Sequence, residues 1–241
     1  MPRLTIASLN TRGTPFFGSA LRARYTAIAD AFEASDADVV NLQEVHTYYH
    51  VRLLSRTMPS YRANFRPSAA GPAGGLVTFS RQVADGTSYR RFSRQPRLAS
   101  ALKGVLFTRL PDVTVLNTHL LANRDGDWSA ENRYYPVHKS QLVTLTQYVE
   151  TVEGPVILTG DFNIPRHSSL YRDFLQATQL TDSFGDSCPP TFHQAYLPAG
   201  RPAHCIDFAL AAGLTVESAE VDGTFASDHL ALLVRTGEGS V

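Results

Sequence analysis

Six apolar runs in this chain, none longer than a single strand, stop at or are broken by groups that resist burial. They carry Asn10; Glu44 in LQEV; Asn117 and His119 in NTHL; Asp161 and Asn163 in GDFN; Asp207 in CIDF; and Ser227-Asp228-His229 in SDHL. A buried strand ending in an uncompensated carboxylate is unfavourable unless that group is solvated, paired or bound to metal. Repeated at so many strand ends, the pattern points to an α/β protein whose site is assembled from several strands.

The remaining pattern supplies the frame. Alternation predicts a strand over 4–9, and Leu21, Tyr25, Ile28 and Phe32 line one face of a helix that Ser19 would cap. A buried strand over 38–43 precedes a helix through Val51, Leu53 and Leu54 that stops before Pro59. Short strands follow over 61–65, 75–80, 87–92, 103–109 and 113–118, divided by Gly and Pro. Helical spacing returns over 135–150, with Pro136 in the first turn and Leu142, Leu145 and Val149 on one face. An apolar strand over 155–159, a short helix from Ser168, and strands over 205–211, 214–221 and 229–234 close the chain. The expected architecture is one domain of two sheets packed face to face and flanked by helices.

Composition narrows the function. The chain has 241 residues, 43% of them hydrophobic, with 22 Lys plus Arg against 22 Asp plus Glu. That balance argues against coating nucleic acid through bulk charge, and the apolar content argues against disorder. No stretch approaches the roughly 20 apolar residues of a spanning helix, so no stable membrane insertion is expected. The first strand opens almost at residue 3, which leaves no room for a signal peptide. A complete chain would therefore be cytoplasmic, and a secreted one would have lost a leader. Cys188 and Cys205 read as free thiols, with a disulfide as the alternative.

Glu44, Asp161 and Asp228 offer a hard oxygen set that suits Mg²⁺ or Mn²⁺. No HExxH or paired-Cys motif ties the histidines to zinc, so His119 and His229 read as proton-transfer or charge-stabilising groups. The chemistry suggested is hydrolysis of a phosphoester by in-line attack of water.

The motifs NTR, LQEV, NTHL, GDFN, IDF and SDHL, in this order from Asn10 to His229, resemble the endonuclease/exonuclease/phosphatase superfamily, the DNase I-like fold. The resemblance implies a four-layer α/β sandwich with the site at one end of the paired sheets. It implies Glu44 as principal metal ligand, with Asn10 and Asp228 beside the same ion. Asp161 would orient or deprotonate the attacking water, and Asn163 would hold a phosphate oxygen. His229 would stabilise developing charge or transfer a proton, with Asp207 orienting its ring, and His119 would contact the phosphate from the other side. Lys103-Gly104 and NTHL are similar to the neutral-sphingomyelinase-like branch. DNase I-like nucleases also carry a Glu that supports the first His, and no acidic residue lies between Glu44 and Asp85 here.

Arg12, Lys103, Asn117 and Trp128 complete the set as expected substrate contacts. The loop over 123–135 follows NTHL and should overhang the site. Its Trp128, Tyr134 and Tyr135 would stack on a base or cover a headgroup, and Asp125 and Asp127 would repel a polyanion or attract a choline-like cation. A second loop over 11–18 exposes Pro15-Phe16-Phe17. His46 and His50 read as helix-surface residues, while His193 and His204 are left open as pocket-lining groups. Arg90, Arg91, Arg94 and Arg97 read as a solvated face, with a nucleic-acid backbone as the alternative contact. The expectation is a monomeric phosphodiesterase acting on a lipid headgroup, another small phosphodiester or, as second choice, DNA or RNA. A catalytically silent binding protein is the reading from another class.

Overall fold

The computed structural model describes residues 3–13, 20–92 and 102–237. Ser19, the Pro15-Phe16-Phe17 segment, Arg94 and Arg97 lie outside the described residues. Among the described residues the first sheet contains β1 (Thr5–Asn10), β2 (Val39–Gln43), β3 (Arg62–Asn64), β4 (Val77–Ser80), β11 (Val216–Asp222) and β12 (Ala231–Thr236). The second contains β5 (Gly86–Arg91), β6 (Gly104–Arg109), β7 (Thr114–His119), β8 (Val156–Asp161), β9 (Thr181–Asp182) and β10 (Asp207–Ala212). Their spatial orders are β11-β12-β1-β2-β4-β3 and β5-β6-β7-β8-β10-β9.

Each sheet has one parallel pair, and each such pair needs a crossover. Helix α1 (Leu21–Glu33) joins β1 to β2, and α3 (Tyr135–Val149) lies in the connection from β7 to β8. Helix α1 buries Tyr25, Ile28, Ala29 and Phe32, the face its spacing predicts. It packs with α2 (Tyr48–Thr57) on the outer face of the first sheet, against Leu9, Val40, Leu42 and Phe79. Helix α4 (Ser169–Thr178) joins α3 on the second sheet, against Leu158, Phe162, Phe208 and Leu210. Hydroxyls start two of these helices: Thr47 accepts from His50 N and Ser168 from Tyr171 N, each at 3.2 Å. The result is the expected four-layer sandwich. Strand β9 was not anticipated, because two residues are too few to show alternation.

Period-two alternation puts whole rows of side chains between the sheets. The innermost row is apolar: Ile6 beside Val39 in one sheet, Val115, Ile157 and Ala211 in the other. Two residues along β1, β2, β7 and β8 the facing row turns polar. Asn41 donates to Thr159 Oγ1 at 2.8 Å and accepts from Thr78 Oγ1 at 2.6 Å, while Gln43 Nε2 reaches Ser8 Oγ at 3.2 Å and Asn117 Oδ1 at 2.8 Å. A further two residues along, His119, Asp161 and Asp207 stand side by side on β7, β8 and β10.

Asn117 therefore does not sit where a substrate contact was expected. It is fully buried one row below the site and donates to Leu42 O and Val77 O, both at 3.1 Å, stitching the two sheets together. Asn117→Ala removes the two bonds it donates across the sheets and the one it accepts from Gln43 Nε2, and should cost about 2–4 kcal/mol of stability. Urea unfolding reads this directly. A loss well under about 1 kcal/mol would show that the stitch is dispensable.

Candidate active site

Asp161 is the centre of the polar row, and groups from both sheets converge on it. Its Oδ2 accepts from Asn10 Nδ2 at 3.0 Å, lies 3.2 Å from His119 Nε2 and 3.8 Å from His229 Nε2. Its Oδ1 accepts from Asn163 N at 2.9 Å. Burial would raise its pKa, but His229, His119 and Lys103 outweigh that and hold it well below the usual carboxylate range. Asp161 is anionic at any ordinary pH.

His229 precedes β12 of the first sheet and crosses to Asp207 of the second. Its Nδ1 lies 2.9 Å and 3.1 Å from the two carboxylate oxygens, and Thr191 Oγ1 donates to the same carboxylate at 2.7 Å. A proton on Nδ1 is thereby fixed, and Nε2 faces Asp161. Burial alone would lower the imidazole pKa, but Asp207 and Asp161 push it up to about 10. Thr191 was not singled out in the sequence; it accepts from the Ile206 and Asp207 amides at 3.0 Å and anchors this pair.

Glu44 follows β2 in a left-handed conformation (φ 63°), as do Arg12 after β1 and Asn163 after β8 (φ 50° and 54°). Three non-glycine residues held there mark sharply turned strand ends. Gly13 completes one turn, because a Cβ there would collide with the Glu44 carbonyl. The Glu44 carboxylate meets Asn10 Nδ2 at 3.4 Å. Burial opposes its charge, but His119, His46 and Lys103 lower its pKa. Burial brings Lys103 down to about 8 against the pull of Asp161 and Glu44, and its Nζ donates to Leu120 O at 2.6 Å.

Asn10, Glu44, His119, Asp161, Asn163 and His229 line one cavity of about 340 Å³, with Trp128 among its remaining walls. The Trp128 indole donates to Asn163 O at 2.9 Å and meets His204 edge-on, and His204 also lines this cavity. His193 lines a different depression beside Arg12. Asp228 is drawn aside: its Oδ2 lies 3.3 Å from Arg12 Nε, and Arg12 lies over the Tyr196 ring, so neither lines the cavity. The charge of Asp125, expected to meet a ligand, is taken by Arg133 at 2.8 and 2.9 Å, and Asp127 caps Ser129 N at 2.8 Å. Tyr134 is buried against His138 and Tyr135 packs on the helical side of the second sheet, so neither overhangs the cavity.

His46 and His50 depart from the helix-surface expectation. His46 precedes α2 and lines a second cavity with Glu44, while His50 is buried and stacks on Tyr25. Arg90 lies over Phe107 and donates to Thr151 at 2.8 Å. Cys188 and Cys205 are free thiols.

The ligand atoms of Asp161, Asp207 and His229 lie within 4.8 Å of one another, so this buried group can bind a metal. Its Asp207–His229 bond, however, reads as an acid–base relay. The Glu44 carboxylate presents the hard oxygen donors that a Mg²⁺-type cation takes, while Asn10 turns its amide nitrogen toward Glu44 and its oxygen accepts from Arg12 N at 3.0 Å. A divalent cation among these carboxylates fits the donor chemistry of the site.

The two-sheet sandwich is that of DNase I-like proteins. It is similar to the endonuclease/exonuclease/phosphatase from Bacteroides vulgatus (TM-score 0.77, 18% identity, 98% of this chain and 99% of that one). It is also similar to sphingomyelinase C from Streptomyces griseocarneus (TM-score 0.73, 18% identity, 98% and 100%) and to D. rerio TDP2 complexed with a single-strand DNA product (TM-score 0.77, 16% identity, 98% and 99%). The chain belongs to the Endonuclease/Exonuclease/phosphatase family, which matches residues 7–229. A UPF0294 protein from Klebsiella pneumoniae (strain 342) is 36% identical over 106 residues, 43% of this chain and 37% of its own length. The match thus spans little more than a third of that relative.

The raised pKa of His229 carries a stability consequence. In EDTA, its ion pairs stabilise the fold fully below about pH 6.5, and the contribution is lost as pH rises through about 10. The advantage of wild type over His229→Asn in urea midpoints should shrink across that interval. A constant advantage would mean that His229 is neutral throughout.

Proposed function

We propose that the chain is a divalent-metal-dependent phosphodiesterase that hydrolyses a P–O bond with water. The observation that supports it best is the convergence of Asn10, His119 and His229 on the buried Asp161 carboxylate, with Glu44 against the same amide. Mg²⁺ or Mn²⁺ held by the Glu44 carboxylate, with Asn10 beside it, would neutralise phosphate charge and act as a Lewis acid. Asp161, anionic and pinned by its neighbours, orients the attacking water and accepts its proton. The water oxygen bonds to phosphorus, the ester P–O bond breaks, and the departing alcohol takes a proton from His229 Nε2. Asp207 keeps that ring in the required tautomer, and His119, Asn163 and Lys103 supply donors around the phosphate.

A small or lipid-headgroup phosphodiester is the favoured substrate class. The zero formal net charge, the small cavity beside Trp128 and the likeness to a sphingomyelinase C support that reading. The likeness to TDP2 with its DNA product supports a nuclease as the second reading.

With bis-p-nitrophenyl phosphate and Mg²⁺, Asp161→Asn and His229→Ala should each lower kcat/KM by about 10²–10⁴-fold while the protein still melts cooperatively. Wild-type rates in both variants would contradict the assignment. On natural substrates, a headgroup hydrolase keeps its affinity as salt rises, whereas a nuclease loses it steeply.

A further inference from the structure

Glu44 and His119 are shared by two cavities. Besides the one that holds Asp161 and His229, a larger one of about 690 Å³ opens on their other side. Its reactive groups are Glu44, His46, Lys103 and His119, clustered at the end where Glu44 and His119 also line the phosphate site. Beyond them the walls include Pro72, Leu102, Leu121, Ala122, Tyr134 and Val137, with Ser68 and a run of glycines on the side of His46. The cations near its rim do not make it an anion site. Arg133 is held by Asp125 at 2.8 Å and lies over the Tyr134 ring, and Arg124 is exposed at the mouth. Leu102 is 48% exposed, among the large apolar side chains left uncovered in the fold, and it lines this cavity. A volume of this size is that of a ligand pocket.

We propose that the larger cavity receives an uncharged hydrocarbon-bearing alcohol arm of the phosphodiester, while the smaller one beside Trp128 receives the compact arm. The inference rests on the phosphodiesterase reading for its substrate and names the feature that selects it. The polar groups sit where the phosphate must lie, and the apolar walls begin beyond them, so a chain attached to that phosphate leaves the polar end and enters hydrocarbon surroundings. Each methylene buried there favours binding by about two- to fourfold.

Calorimetric binding of n-alkyl phosphates from butyl to octyl, in Mg²⁺, tests this, with hydrolysis of the matching n-alkyl p-nitrophenyl phosphates measured alongside. Affinity should climb by about two- to fourfold per methylene in the wild type. The climb should flatten in Val137→Trp, which fills the cavity, and in Leu102→Asp, which makes its wall polar; the exposure of Leu102 spares the fold. A climb without turnover would support the cavity assignment and overturn the hydrolytic reading. A flat wild-type series, or an undiminished climb in both variants, would overturn the cavity assignment whatever the turnover.

Discussion

The structure depends on keeping one carboxylate charged where water scarcely reaches. Asp161 is 1% exposed at the seam of two sheets, and an isolated ion there would be strongly unfavourable. It is held by an amide from β1, an imidazole from β7 and another from just before β12, so its partners come from both layers. Replacing any of them exposes the same unmet charge. The constraint that makes the site possible also fixes how the sheets are stacked.

The stacking grades from oil to ions along the strands. Ile157, Thr159 and Asp161 occupy successive positions on one face of β8, and Val115, Asn117 and His119 do the same on β7. Apolar burial at the inner end supplies the non-directional attraction, and the amide–hydroxyl row above it sets register through hydrogen bonds. The ionisable row then stands on a rigid floor. His229 is pinned by Asp207, which is pinned by Thr191, so the imidazole cannot turn without breaking two further contacts. Such support is what holds reacting groups in place without reorganisation.

Much of this was legible in the sequence because strand ends and helix faces obey short periods. The apolar face of α1 and the polar stops Glu44, His119, Asp161, Asp207 and His229 could be read from local pattern alone. Depth could not. Asn117 and His119 point the same way two residues apart, yet one is a stitch between sheets and the other reaches the cavity. Nor could partners distant in sequence be read, such as Arg12 with Asp228 or Thr191 with Asp207. His46 was recoverable in part. Thr47 is a good helix cap, which places His46 outside α2 and next to the turn at Glu44.

The central claim is that the oxygen donors around Glu44 hold a cation, while the Asp207–His229 pair serves proton transfer. Titration calorimetry of Mn²⁺ into metal-free wild type, Glu44→Gln and Asp207→Asn separates these roles. The account predicts saturable binding that is strongly weakened by Glu44→Gln and retained in Asp207→Asn. Binding lost in Asp207→Asn and untouched in Glu44→Gln would place the ion in the Asp161–Asp207–His229 group and contradict it.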